Sequence, residues 1–231
     1  MMPSERILSD LNRLYPVSRE TFSRLQIHEQ LLQQWQAKTN LVSGSTLGTF
    51  WTRHVADSLQ CLAIAPEARN WIDFGSGGGF PALPIAIHRA CDSSETFGRH
   101  VLVESNHKKC AFLREVARKT GTVCHVMNDR IESATKQFSA GDHDVITARA
   151  LAPLPKLLDL AAPLMTSDTV AIFHKGREFR AELEDCRGLW RFDLVIHDSR
   201  IESGSVLLEI RNPVAEGTTT RGIGSRTDEA S

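Results

Sequence analysis

The run Trp71-Ile72-Asp73-Phe74-Gly75-Ser76-Gly77-Gly78-Gly79-Phe80-Pro81 has the make-up of a loop that holds a small ligand against bare main chain. Glycine tolerates positive φ and carries no Cβ to keep a ligand off the backbone. The alternative is a tight turn with no ligand, although four glycines in five positions cost backbone entropy with no evident packing return. Spacing narrows the choice of ligand. The dinucleotide fingerprint GxGxxG needs its third glycine at position 80, where this chain has Phe80, so a pyrophosphate is disfavoured. Two acids flank the loop, Asp73 before it and Glu104 farther along. Asp144, Arg149 and Lys175 are the other residues placed where strand ends could present a charge.

The elements that must position these groups follow from hydrophobic periodicity. Up to residue 69 the chain reads as helical. Phe22, Leu25, Leu32 and Trp35 recur at three- and four-residue spacing after a candidate cap at Ser18, and a second helix is predicted after Ser45. From Trp71 onward short apolar runs alternate with helical stretches, the signature of βαβ units. Strands are predicted at 70–74, 100–104, 122–127, 143–148, 169–174, 191–197 and 205–211, with helices at 82–90, 107–119, 154–165 and 177–187. The last connection is too short for a helix and implies an antiparallel hairpin. The organisation expected is therefore a helical segment over 1–69, an α/β domain over 70–212 with a mostly parallel seven-stranded sheet, and a disordered polar tail over 213–231.

Composition sets the outer bounds. Hydrophobic residues plus glycine make up about 47% of the 231 residues, the range of a globular chain. No run approaches the roughly 18 apolar residues of a membrane helix. The charged amino terminus does not read as a signal peptide, so a cytoplasmic address is expected. Five cysteines, none closer than fourteen positions, fit neither a disulfide framework nor a metal site. The net charge of −1 leaves any polyanion partner to be met by a local patch.

Asp73, the glycine loop and Glu104 together resemble class I S-adenosylmethionine-dependent methyltransferases, which have a Rossmann-like fold. Further segments then fall into order: Trp35 with Asn40-Leu41, Trp51-Thr52-Arg53-His54 with Asp57-Ser58-Leu59, Glu104-Ser105, Lys108-Lys109 with Phe112-Leu113, Arg130-Ile131-Glu132, Arg149-Ala150 and Lys175-Gly176. Over about residues 20–212 the chain resembles the bacterial ribosomal RNA small-subunit methyltransferase G family, also called glucose-inhibited division protein B. Gly78 and Ala82 depart from the residues usual in that family. The resemblance implies methyl transfer from S-adenosylmethionine to N7 of a guanine in the decoding-region loop of 16S ribosomal RNA. It also implies a partner in the small ribosomal subunit, no metal, no membrane and a monomer. Carried over by position, the cofactor would meet Asp73, Gly75, Gly77, Gly79, Phe80, Glu104, Ile131, Glu132 and Arg149.

The chemistry implied is undemanding in acid and base. Guanine N7 has an in-plane lone pair and no proton, so no general base is required. The chain also lacks the Pro-Cys pair of C5-pyrimidine enzymes and the Pro-Pro-Tyr box of exocyclic-amine enzymes. Candidates for assistance are Asp144, which equally suits a strand cap; Arg149, which suits cofactor, guanine or phosphate; and Lys175, which suits an RNA phosphate or a solubilising surface role. Lys108, Lys109, Arg114, Arg118 and Lys119 on one helix, with Arg53 and Arg130, form a candidate RNA face that also reads as a solvated helix surface. His54, Trp35 and Trp51 read as structural. The competing functions are a dinucleotide oxidoreductase, a methyltransferase for another RNA, and a non-catalytic RNA-binding or assembly factor.

Overall fold

The computed structural model describes residues 3–91 and 98–217. The chain runs α1 (Pro3–Leu14), α2 (Arg19–Gln36), a 3₁₀ segment (Gly44–Thr49), a π-helix (Phe50–Ala56) and α3 (Asp57–Ile64) before entering the sheet. Strands and helices then alternate: β1 (Trp71–Phe74), α4 (Ala82–Ala90), β2 (His100–Glu104), α5 (His107–Thr120), β3 (His125–Asn128), α6 (Ile131–Ala134), β4 (Val145–Arg149), α7 (Leu154–Ala161), β5 (Val170–Lys175) and α8 (Phe179–Asp185). The closing pair is β6 (Trp190–Asp198) and β7 (Val206–Ala215).

The sheet has seven strands in the order β3-β2-β1-β4-β5-β7-β6. All pairings from β3 to β5 are parallel, and β7 is antiparallel to both β5 and β6. This is the mostly parallel sheet with a terminal antiparallel hairpin that the sequence predicts. β1, β2 and β5 are buried at every position because helices cover both faces. Chain direction reverses its march across the sheet at β1 and β4, which opens a crevice beyond their carboxyl ends.

Local signals set the helix ends. Asn106 caps α5 by accepting from the backbone N–H groups of Lys108 and Lys109, and Gly121 ends it in the left-handed conformation at φ 65°. Thr122 N then bonds back to Ala117 O, so Thr122 belongs to the helix exit, and β3 starts at His125 rather than at 122. Pro163 cuts the helix predicted over 154–165 to Ala161, leaving a 3₁₀ turn behind it. The helix predicted after Ser45 is three consecutive segments of different pitch. β7 continues through Pro213, with Val214 opposite Arg191 and Ala215 opposite Trp190. Residues 213–215 are thus sheet rather than the disordered tail expected; 218–231 lie outside the described residues.

Two cores flank the sheet. One gathers Ile72, Phe74, Val103, Ile146 and Phe173 with Leu154, Leu157 and Leu158 of α7. The other gathers Trp71, Leu102, Val145 and Ile172 with α4, α5 and the amino-terminal helices, through Leu25, Leu32, Phe50, Val55 and Leu59. The amino-terminal segment therefore packs into the same core as one face of the sheet and reaches its carboxyl edge.

Candidate functional site

The crevice is built around the glycine turn after β1. Gly75 N and Ser76 N both donate to Val103 O of β2, at 2.9 and 3.1 Å. Gly77 N donates to Glu104 Oε2 at 2.9 Å. Glu104 Oε1 accepts from Asn106 N at 2.8 Å. The carboxylate is thus fixed by two main-chain donors and keeps further lone pairs, since an ionised carboxylate offers about four acceptor sites. Gly75, Gly77 and Gly79 all have positive φ, at 70°, 51° and 90°. A Cβ on Gly75 would stand 2.6 Å from Leu151 Cδ1, and one on Gly79 would stand 2.4 Å from Leu83 Cδ1. At Gly79, where Leu83 Cγ would also stand 2.9 Å away, packing demands glycine as well as backbone conformation does; at Gly75, facing the movable end of the exposed Leu151 side chain, the positive φ is the stronger demand.

Two cavities meet at this turn. One, of about 390 Å³, is lined by Gly75, Gly77, Glu104, the segment Asp129–Glu132, Leu151 and Lys156. The other, of about 410 Å³, lies between the loop Asn40–Thr46 and the glycines, with His54, Phe80, Lys109 and Arg149 in its wall. Gly75, Gly77, Lys109 and Ala150 line both. Ala150 follows β4 at φ 51°, a strained conformation for a residue with a Cβ. Each volume falls within the roughly 300–1,000 Å³ of small-molecule sites.

Of the residues singled out from sequence, Gly75, Gly77, Glu104, Ile131 and Glu132 line the first cavity. Glu132 is half-exposed and faces Lys156 Nζ at 3.4 Å. Phe80 and Arg149 line the second cavity instead. Asp73 lines neither. Its Oδ1 accepts from Thr147 Oγ1 of the adjacent strand at 2.7 Å. Burial raises its pKa to about 7, against the opposing hydroxyls of Ser76 and Thr147.

The three catalytic candidates separate clearly. Asp144 is not in the crevice. It precedes β4, roughly 16 Å from the strand's far end at about 3.3 Å per residue. There its Oδ2 accepts from Arg69 N and Asn70 N at 2.7 and 2.8 Å. It ties the entrance of β1 to that of β4, and the cap reading stands. Lys175 is not a surface lysine either. It is buried, with Nζ donating to Ala152 O at 2.8 Å and paired with Glu182 Oε2 at 2.5 Å. Glu182 also accepts from Leu154 N at 2.6 Å, so this pair pins both ends of the Ala152–Leu154 bend beneath the cavities. Arg149 turns toward the amino-terminal segment. Its Nη2 donates to Arg53 O at 2.8 Å and meets His54 Nδ1 at 3.3 Å, while Nη1 stands 3.6 Å from Asp57 Oδ2.

Sequence reasoning missed His28. It is fully buried on α2 and its Nε2 donates to Gly78 O at 3.0 Å. The signal was present in the spacing, since Phe22, Leu25, His28 and Leu32 share one helix face. Phe80 is stacked between two histidines, with centroids 5.0 Å from His28 and 4.6 Å from His54, and the Arg149 guanidinium stands 6.0 Å away. Burial lowers the His28 pKa to about 4. Burial, then Arg149 and Arg53, lowers that of His54 to about 3. Both rings are therefore neutral at physiological pH. Trp51 stacks on Phe22 and Trp35 leans on Phe112, as core residues do. On the basic helix, Arg118 pairs with Glu115 and Arg114 donates to Val126 O. Arg53 pairs with Glu202. Lys109 lines both cavities and Arg130 the first, whereas Lys108 is exposed and lines neither.

Comparison with known proteins adds a lineage. The sequence profile of the family described as rRNA small subunit methyltransferase G matches residues 21–205. A protein named ribosomal RNA small subunit methyltransferase G from Rhodopseudomonas palustris strain BisB5 is 51% identical over 199 residues, covering 86% of this chain and 83% of that one. The protein of the same name from Rhizobium etli is 48% identical, covering 85% and 94%. Among solved structures, an O-methyltransferase from Bacillus cereus in complex with SAH superposes with a TM-score of 0.57 at 17% identity, over 90% of this chain and all of the other. A methyltransferase from Geobacter sulfurreducens gives 0.56 at 16% identity, over 90% and 98%. These two share the fold.

Proposed function

Because this chain belongs to the ribosomal RNA small subunit methyltransferase G family, we propose that it transfers a methyl group from S-adenosylmethionine to N7 of a guanine in the decoding-region loop of 16S ribosomal RNA. It acts as a cytoplasmic monomer on the small ribosomal subunit. The observation that carries this reading is the pair of cavities joined at Gly75, Gly77 and Ala150. One suits a nucleoside with an amino-acid end and the other suits a planar base.

The first cavity fits the cofactor. Glu104, held by Gly77 N and Asn106 N, retains lone pairs for ribose hydroxyls. Ile131 and Glu132 line the side suited to the adenine, and the bare main chain of Gly75 and Gly77 admits the amino-acid end. When bound, S-adenosylmethionine supplies an electrophilic methyl carbon and a neutral thioether leaving group. The protein's own task is alignment. Guanine N7 bears no proton to remove, and holding two reactants in line can supply about 7–11 kcal/mol of a barrier. Asn40–Thr46, Phe80 and Arg149 would hold the base, while Lys109, which lines both cavities, would meet phosphate. The Lys175–Glu182 pair fixes the Ala152–Leu154 bend on which the common wall rests.

The test is methyl transfer from labelled S-adenosylmethionine to small subunits purified from cells lacking the gene, with the modified nucleotide then mapped. Transfer to one guanine, blocked by prior N7 methylation, is expected, and naked 16S RNA should be a poor acceptor. Absence of transfer at every salt concentration would overturn the reading.

A further inference from the structure

The wall shared by the amino-terminal segment and the sheet contains a chain of hydrogen bonds with a fixed direction. A guanidinium has donors and no acceptor, so at the 3.3 Å contact between Arg149 Nη2 and His54 Nδ1 the imidazole nitrogen must accept. His54 is then neutral with its proton on Nε2. That nitrogen lies 3.2 Å from Thr46 Oγ1, to which it donates. Thr46 Oγ1 in turn donates to Ser43 O at 2.9 Å. Arg149 sits at the end of β4, His54 in the π-helix, and Thr46 and Ser43 on the loop that forms the outer wall of the second cavity. Arg149, His54, Thr46 and Ser43 all line that cavity.

We propose that His54 is a positioning residue for the acceptor base, transmitting the placement of Arg149 through Thr46 to the Ser43–Thr46 wall of the second cavity. The inference rests on reading that cavity as the acceptor site. His54 takes no proton in the reaction. Its contact with Arg149, 95 positions away along the chain, fixes the distance between the two walls. Arg149 at the head of the relay and Phe80 beside His54 are also contacts that the resemblance implies for the cofactor, whereas Thr46 and Ser43 line the second cavity alone, so cofactor binding should be insensitive to the far end of the relay.

Two variants test it. His54→Phe keeps a ring to stack on Phe80 and loses both hydrogen bonds. Thr46→Val is isosteric, lies at a partly exposed position and removes only the far end of the relay. Thr46→Val should leave the calorimetric Kd for S-adenosylmethionine within about twofold of wild type. His54→Phe should lower kcat/KM for small subunits by roughly 10–100-fold and Thr46→Val by roughly 3–10-fold. The double variant should be no worse than His54→Phe alone, since both break one chain. Hydrogen exchange at the amides of residues 43–49 should speed up in both variants, a readout that needs no substrate.

Unchanged exchange and unchanged acceptor kinetics in Thr46→Val would overturn the proposal even if His54→Phe failed to fold. Equal losses in cofactor and acceptor binding in Thr46→Val would also overturn it, by showing a general packing defect. If the wild-type protein methylates no subunit yet the exchange pattern changes as described, the relay stands and the functional reading falls.

Discussion

Lowering the pH from 7 to 5 should cost this protein about 2 kcal/mol of stability through His28 alone. The unfolded chain binds a proton on this imidazole near pH 6.5, whereas burial holds the native form down to about 4. Between those values the unfolded state carries more protons, so stability rises with pH across the window. The contribution is complete above 6.5 and is lost as pH falls toward 4. At pH 5 the unfolded ring is about 97% protonated and the native ring about 9%. At 1.36 kcal/mol per pKa unit, this amounts to about 2 kcal/mol relative to pH 7. His54, His100 and His143 are displaced in the same direction, so the whole protein should lose more than this. Asp73, raised to about 7, works the other way.

A difference experiment isolates His28. His28→Gln keeps an N–H able to reach Gly78 O and cannot titrate. Urea unfolding followed by tryptophan fluorescence at pH 7.0 and 5.0 should show a loss smaller by about 2 kcal/mol in the variant than in wild type. An identical acid loss in the two proteins would refute the reasoning, because it would mean that His28 is hydrated or protonated in the native state.

Lys175→Met should destabilise the protein by about 3 kcal/mol in urea titrations, because it strands the Glu182 carboxylate, and Lys175→Met with Glu182→Gln should recover most of the loss. Wild-type stability in Lys175→Met alongside lost RNA binding would instead make Lys175 a phosphate contact. Gly79→Ala should cost at least about 2 kcal/mol in the same assay, from a left-handed φ and a Cβ 2.4 Å from Leu83 Cδ1. Gly77→Ala, which meets nothing nearer than 3.7 Å, should cost about 1 kcal/mol. Equal costs would show that the turn relaxes around Leu83.

The sheet was legible because its strands announce themselves. Trp71–Phe74 and His100–Glu104 are short runs between a proline or glycine break and a helix, and six of their nine buried positions are apolar. The glycine turn was legible for a different reason, since glycines at 75, 77 and 79 have no cheaper explanation than a demand for positive φ. What escaped depends on long-range pairing. Nothing near Lys175 in the sequence says that Glu182 and Ala152 O will enclose it, and a strand-end lysine reads the same when exposed. Asp144 was ambiguous because an acid before a strand looks alike whether it faces a ligand or the backbone of Arg69 and Asn70. The change of pitch from Gly44 to Ile64 was hidden, because apolar spacing alone does not distinguish a π turn from an α turn.

The distance along the chain between His54 and Arg149 sets a clock on the protein's own birth. Translation adds roughly 5–20 residues per second, so the helical half of the second cavity's wall emerges some 5–20 seconds before the strand that completes it. A nascent chain in that interval has the His54 ring with no guanidinium to order it. A chain truncated ahead of β4 would carry the Ser43–His54 side of that wall with no strand to face it.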